Sequence, residues 1–244
     1  IIQTAQSANP IFFASATACS IIEVLFYTLS WRTLTSHLNI KMTLKRAYLY
    51  VWYGLYVDII VPAESVSGEI TRAYLLTRDH CGPFGKIVAS LFTHRLLGMA
   101  MNVAILILGV AILSTEGQIS SAIFNLIIFM ATAIAALTVI LTTISFKKTW
   151  ALKILNWTTN LAKKISRGKW TLSKFKGQAI EITNNFHQSM IEYSKNKKPL
   201  LTSFFYLALT WLFSLSVPYL IFQSLGYPVS WSIILITAAI VLAV

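Results

Sequence analysis

From residue 199 to residue 244 the chain carries no charged side chain, and the same pattern of long uncharged runs broken by short cationic clusters recurs along its length. A charge-free run of that length cannot be hydrated in a globular fold, whereas about 20 apolar residues cross a hydrocarbon core of about 30 Å as one helix. Of 244 residues, 56% are apolar and 11% are charged, against about 25% charged in soluble domains. A soluble globular fold and intrinsic disorder are both excluded by these figures. The sequence therefore predicts an all-α, polytopic membrane protein of about five spans, with a re-entrant helical pair and a cytoplasmic amphipathic helix pair.

The spans follow from the uncharged stretches. Ile11–Trp31 is one, with Glu23 as its sole acid, and residues 96–115 and 117–146 form a hairpin that turns at Thr115-Glu116-Gly117. The turn signal Ser224-Leu225-Gly226-Tyr227-Pro228 divides the C-terminal run into residues 200–223 and 230–244. The first residue is Ile1 and the last apolar run is cut short at Val244. Residues 1–244 accordingly read as a single multi-pass domain, a fragment lacking N- and C-terminal helices.

Lys and Arg in short loops mark the cytoplasmic side, while Asp and Glu count for little. Arg32, Lys41, Lys45 and Arg46 occupy one loop, Arg72, Arg78, Lys86 and Arg95 a second, and residues 147–198 hold twelve of the twenty Lys and Arg. The loops around Glu116 and Gly226 hold none. If residues 47–63 crossed fully, one of the first two basic loops would lie outside. That stretch is therefore expected to enter the bilayer and return, pairing with a second short segment within residues 65–92. Re-entrant backbone is tolerated where it is buried in protein or lines a wet cavity.

Residues 147–198 form a basic insertion on the cytoplasmic side, with two amphipathic helices expected over 149–195, split at Gly168. Trp150, Trp157 and Trp170 among its lysines would suit an anionic leaflet, and an ordinary positive-inside loop explains the same charges. Membrane topology already accounts for this basicity, so no nucleic-acid partner is read from it. Cys19 and Cys81 have no ligand set at metal spacing, and Gly82-Pro83-Phe84-Gly85-Lys86 lacks phosphate-loop spacing. No nucleophile signature appears either. The expectation is a chain without cofactor, metal or catalytic activity of its own.

One segment is too polar for its place: Pro62 through Leu76, containing Glu64, Gly68, Glu69 and Arg72. An unpaired charge at membrane depth costs about 2.5–3.5 kcal/mol even on lenient scales, so such residues are normally paired or functional. In a helix starting after Pro62, Glu69 and Arg72 stand three residues apart and can pair, while Gly68 allows close approach. Arg78, His94 and Arg95 follow, and guanidinium groups meet phosphate through two parallel charge-assisted bonds. Glu64, Gly68, Glu69, Arg72, Arg78, His94 and Arg95 are therefore the candidate lipid-binding residues. A purely architectural ion pair, and for Arg95 simple snorkelling at a helix end, are the competing readings.

Leu29-Ser30-Trp31-Arg32, then Pro62 through Gly68-Glu69 and Arg72, then Thr93-His94-Arg95, resemble the flippase-like membrane domain of lysylphosphatidylglycerol synthases and their stand-alone or glycosyltransferase-associated relatives. The pattern Pro-x-x-x-x-x-Gly-Glu-x-x-Arg carries most of the specificity, with Arg32 and Pro62 as structural positions; where the family has an acid-Arg pair, this chain has His94-Arg95. The resemblance implies a cell-membrane protein that transports or flips an anionic, aminoacylated or isoprenoid-phosphate-linked lipid. Two alternatives stand beside it: the non-catalytic membrane half of a lipid-modifying synthase or glycosyltransferase, and a structural scaffold. The implied partners are a lipid with a phosphate headgroup and a synthase or glycosyltransferase; a homo-oligomer is compatible with all three readings.

Overall fold

In the computed structural model the described residues are 8–61, 66–116, 121–147 and 173–241. They form eight helices: α1 (Pro10–His37), α2 (Leu44–Ile60), α3 (Val66–Arg78), α4 (Phe84–Glu116), α5 (Ser121–Phe146), α6 (Ser173–Lys195), α7 (Lys198–Ser224) and α8 (Trp231–Val241). No strand occurs among the described residues. The protein is an all-helical, polytopic membrane protein. Among the described residues, four helices are long and apolar enough to cross a bilayer, over Pro10–His37, Phe84–Ile112, Phe124–Phe146 and Lys198–Ser224. The expected run after Ser230 appears as α8, with 11 residues.

The chain divides into two compact units. The first comprises Ile1–Ser30, Leu97–Thr138 and Thr202–Val244. Its core joins Met101, Ile105 and Leu106 of α4, Ile127 and Ala131 of α5, Leu207, Trp211 and Leu215 of α7, and Ile234 and Leu235 of α8. Phe26 of α1 stacks on Tyr206 and Phe213 with ring centroids 6.2 and 5.6 Å apart, and Ser30 Oγ lies 2.7 Å from Ser203 Oγ. Small hydroxyl residues at helix crossings are favoured in membranes because they allow close backbone approach and satisfy one another. The expected turn after Ser224 forms with Gly226 at φ 77°. The Tyr227 N–H there donates to the Phe222 carbonyl at 3.0 Å, which satisfies a carbonyl orphaned at the end of α7.

The second unit comprises Trp31–Leu96 and Val139–Leu201. Trp31 is fully buried and its indole N–H points to Ser90 Oγ at 3.4 Å. The Tyr193 hydroxyl donates to the Leu34 carbonyl at 3.0 Å, and Phe186 of α6 meets Phe92 of α4 edge-on. The apolar face expected on the second amphipathic helix is thus occupied inside this unit: Met190 and Tyr193 are buried, and a Cβ on Gly85 would collide with the Ile182 carbonyl oxygen and lie 2.7 Å from Asn185 Cβ. The expected first helix, 149–167, lies outside the described residues.

The short pair expected near the middle of the chain is present as α2 and α3. Its second member is Val66–Arg78, and α4 begins at Phe84, twelve positions before the expected span start at Leu96. Thr93-His94-Arg95 consequently lie inside a long helix. The uncharged run was a poor guide to this boundary because the charges preceding it have internal partners. Lys86 Nζ donates to the Leu38 carbonyl at 3.4 Å and Arg95 pairs with Glu69, so the helix need not end where the charge begins.

Candidate functional site

α2 has 17 residues, and Thr43 caps its first turn by accepting from the Arg46 N–H at 3.3 Å. At 1.5 Å per residue it is about 25 Å long, at the lower limit for crossing a hydrocarbon core of about 30 Å. Its buried residues, Ala47, Tyr50, Val51 and Gly54, form one stripe, while Leu49, Trp52, Tyr53, Tyr56, Ile59 and Ile60 are exposed. The stripe receives α3 at a close glycine crossing: a Cβ on Gly54 would lie 3.1 Å from the Gly68 carbonyl oxygen, and one on Gly68 would lie 2.8 Å from the Gly54 carbonyl oxygen.

Asp58, near the end of α2, caps the first turn of α3 from outside that helix. Its Oδ1 accepts the Gly68 N–H at 2.7 Å and the Ser67 hydroxyl. A carboxylate at a helix N-terminus satisfies orphaned N–H groups and complements the helix dipole. Asp58 is therefore a site-building residue that sequence reasoning passed over. Nothing in the spacing of Asp58 and Gly68 signals a cap that operates between two helices.

With α3 so positioned, Arg72 is turned inward and buried. Its Nε donates to the Gly68 carbonyl at 3.4 Å, and its guanidinium carbon lies 5.2 Å from the centre of the Trp31 ring. A cation over an indole face is stabilised by about 2 kcal/mol or more when desolvated. Glu69, expected to pair along its own helix with Arg72, also reaches α4: Arg95 Nη1 donates to Glu69 Oε1 at 3.3 Å. His94, the neighbour of Arg95, is buried. Arg95 keeps 36% of its side chain exposed and Glu69 21%, so the ion pair is the accessible edge of the cluster and Arg72 its interior.

The structure thus brings Gly68, Glu69, Arg72, His94 and Arg95 together with Trp31. Arg78 belongs elsewhere. It pairs with Asp79 at 3.2 Å, its side chain 58% exposed, in a small network in which the Tyr50 hydroxyl also donates to Asp79. That hydroxyl and the Arg78 guanidinium together hold the Asp79 carboxyl below the usual carboxylate range. Pro62 and Glu64 lie outside the described residues. Arg32 sits in α1 with a buried Nε that no hydrogen-bond acceptor reaches among the described residues. Those residues include no group of three or more His, Cys, Asp or Glu able to hold a metal ion.

The sequence model of one family, described as the lysylphosphatidylglycerol synthase TM region, matches residues 1–244. The chain belongs to this family. It is similar to the UPF0104 membrane protein PH1989 of Pyrococcus horikoshii, 23% identical over 209 residues, a match covering 84% of this chain and 62% of that protein. The chain therefore matches about three-fifths of that relative's length. No solved structure matches.

Proposed function

We propose that the chain is a lipid-handling membrane domain that receives an anionic headgroup at the Arg95–Glu69 edge of the α3/α4 cluster and moves the lipid between leaflets. One observation carries this reading: a guanidinium buried on Trp31 stands beside a partly exposed Arg95–Glu69 pair that joins α3 to α4, and α3 packs on α2, whose outer face is apolar and aromatic. Asp58 is engaged at the start of α3, so Glu69 is the carboxylate that an arriving phosphate would displace from Arg95. The guanidinium could then take the phosphate through two parallel bonds, while Arg72 would contribute a fixed positive charge behind it in a medium of low dielectric. An aminoacylated headgroup would in addition offer its ammonium to the released Glu69.

The test is a leaflet-exchange assay with the full chain in vesicles containing a fluorescent phosphatidylglycerol. Exchange above that of protein-free vesicles, lost in Arg95→Gln and retained in Arg78→Gln, is the expected result. Equal exchange in Arg95→Gln and the unchanged chain would overturn the assignment. A second reading, in which the domain presents lipid to a catalytic partner, is favoured by the family's description as the membrane region of a synthase. It predicts headgroup binding with the same dependence on Arg95 and no exchange without that partner.

A further inference from the structure

Every Lys, Arg and His of the chain lies in the second unit; Ile1–Ser30, Leu97–Thr138 and Thr202–Val244 contain two ionisable acids, Glu23 and Glu116, and no cationic side chain. Glu116 is the last residue of α4. Glu23 is different, because it stands near the middle of α1, a helix of 28 residues long and apolar enough to span. Its carboxyl reaches the hydroxyl of Ser214 on α7, which is also inside a candidate span.

A carboxylate in hydrocarbon is stabilised by a cation, by several donors, or by taking up a proton. The first is unavailable from this unit's own side chains. α1 adds Cys19 and Tyr27, α7 adds Tyr206 and Tyr219, the turn after α7 adds Tyr227, and none of these carries positive charge. Several donors are not supplied either, since the one hydrogen-bond partner identified for Glu23 among the described residues is the Ser214 hydroxyl. A single hydroxyl suits a neutral carboxyl, which both donates and accepts, better than it suits an anion.

We propose that Glu23 with Ser214 is a proton-binding site within the membrane, occupied at neutral pH, so that the first unit crosses the bilayer without net charge at this position. The site is independent of the lipid-handling reading and stands or falls without it. A carboxyl that can gain and lose a proton at mid-span is also the kind of group through which a membrane protein responds to a proton gradient.

Infrared spectroscopy of the full chain in phosphatidylcholine vesicles tests the site directly. At pH 7 the carbonyl stretch of a protonated carboxyl is expected in the unchanged chain and in Glu116→Gln, and its loss is expected in Glu23→Gln. Ser214→Ala, which keeps the acid and removes its partner, should retain the band and shift it to higher frequency. Dicyclohexylcarbodiimide, which adds to protonated carboxyls in apolar surroundings, should modify Glu23 in the unchanged chain and in Ser214→Ala. Absence of the band at pH 7, a band that survives Glu23→Gln, or no carbodiimide adduct at Glu23 would each overturn the proposal; the first would mean that a cation from outside the unit neutralises Glu23.

Discussion

At the scale of single residues, Arg72 shows why charge and geometry must be separated. Its guanidinium is planar and lies over Trp31, a fit that an ammonium on a flexible stem does not reproduce. Arg72→Lys keeps the charge and is expected to give a folded protein whose affinity for phosphatidylglycerol in nanodiscs falls about tenfold, equivalent to ~1.4 kcal/mol. Unchanged affinity would show that Arg72 is not needed to shape the site. Asp79 yields a prediction of pH dependence. Its carboxyl titrates lower in the fold than in the unfolded chain because Tyr50 and Arg78 donate to it. The resulting stability is present above the unfolded value of about 4 and is lost as pH falls through the depressed folded value. Thermal unfolding in detergent should therefore show an acid-induced loss below about pH 4 that is smaller in Asp79→Asn, and smaller again at high salt because its partner Arg78 is exposed. Neither network could be read from spacing. Tyr50 and Asp79 are 29 residues apart and Glu69 and Arg95 are 26 apart, so each pair exists only because two helices are packed.

At the scale of elements, the α2/α3 crossing rests on the two glycines. Gly68→Ala would drive a methyl into the Asp58 carboxylate and to 2.8 Å from the Gly54 carbonyl. Overpacking of this kind costs about 1–3 kcal/mol, and here it would also disturb the cap that Asp58 provides. Gly98→Ala is the matching control: nothing lies within 4 Å of the added Cβ, and a helical Gly→Ala change without a clash stabilises by about 0.5–1 kcal/mol. Reversible unfolding of both variants in detergent checks the pair; equal stabilities would mean that the crossing is not tightly packed. Element type was largely legible in the sequence, since uncharged runs and the turn at Gly226 mark α1, α5, α7 and the start of α8 from composition alone. The start of α4 was not, because Lys86, His94 and Arg95 look like loop charges until their partners in the second unit are seen.

For the whole molecule, the distribution of charge predicts sidedness. Cysteines introduced at residue 118 and residue 227 should be labelled from one side of the vesicle, and cysteines at 174 and 42 from the other, by a reagent that does not cross the bilayer; labelling of 42 from the same side as 118 would overturn the scheme in which α2 and α3 return to their side of origin. The same distribution of charge separates the two units, with all twenty Lys and Arg in the second.

Composition and charge order by themselves determined that the chain is helical and enters a membrane repeatedly, because transfer of apolar helices into hydrocarbon depends on local sequence and little else. The tertiary structure alone decided which charges meet: that Glu69 turns to Arg95, that Arg72 lies on Trp31, that Asp58 caps α3 and that Arg78 stands apart. Those choices depend on where α2, α3 and α4 cross within the second unit. The crossings follow from the absence of Cβ atoms at Gly54 and Gly68 and from side-chain volumes on several helices at once, which no local pattern of residues encodes.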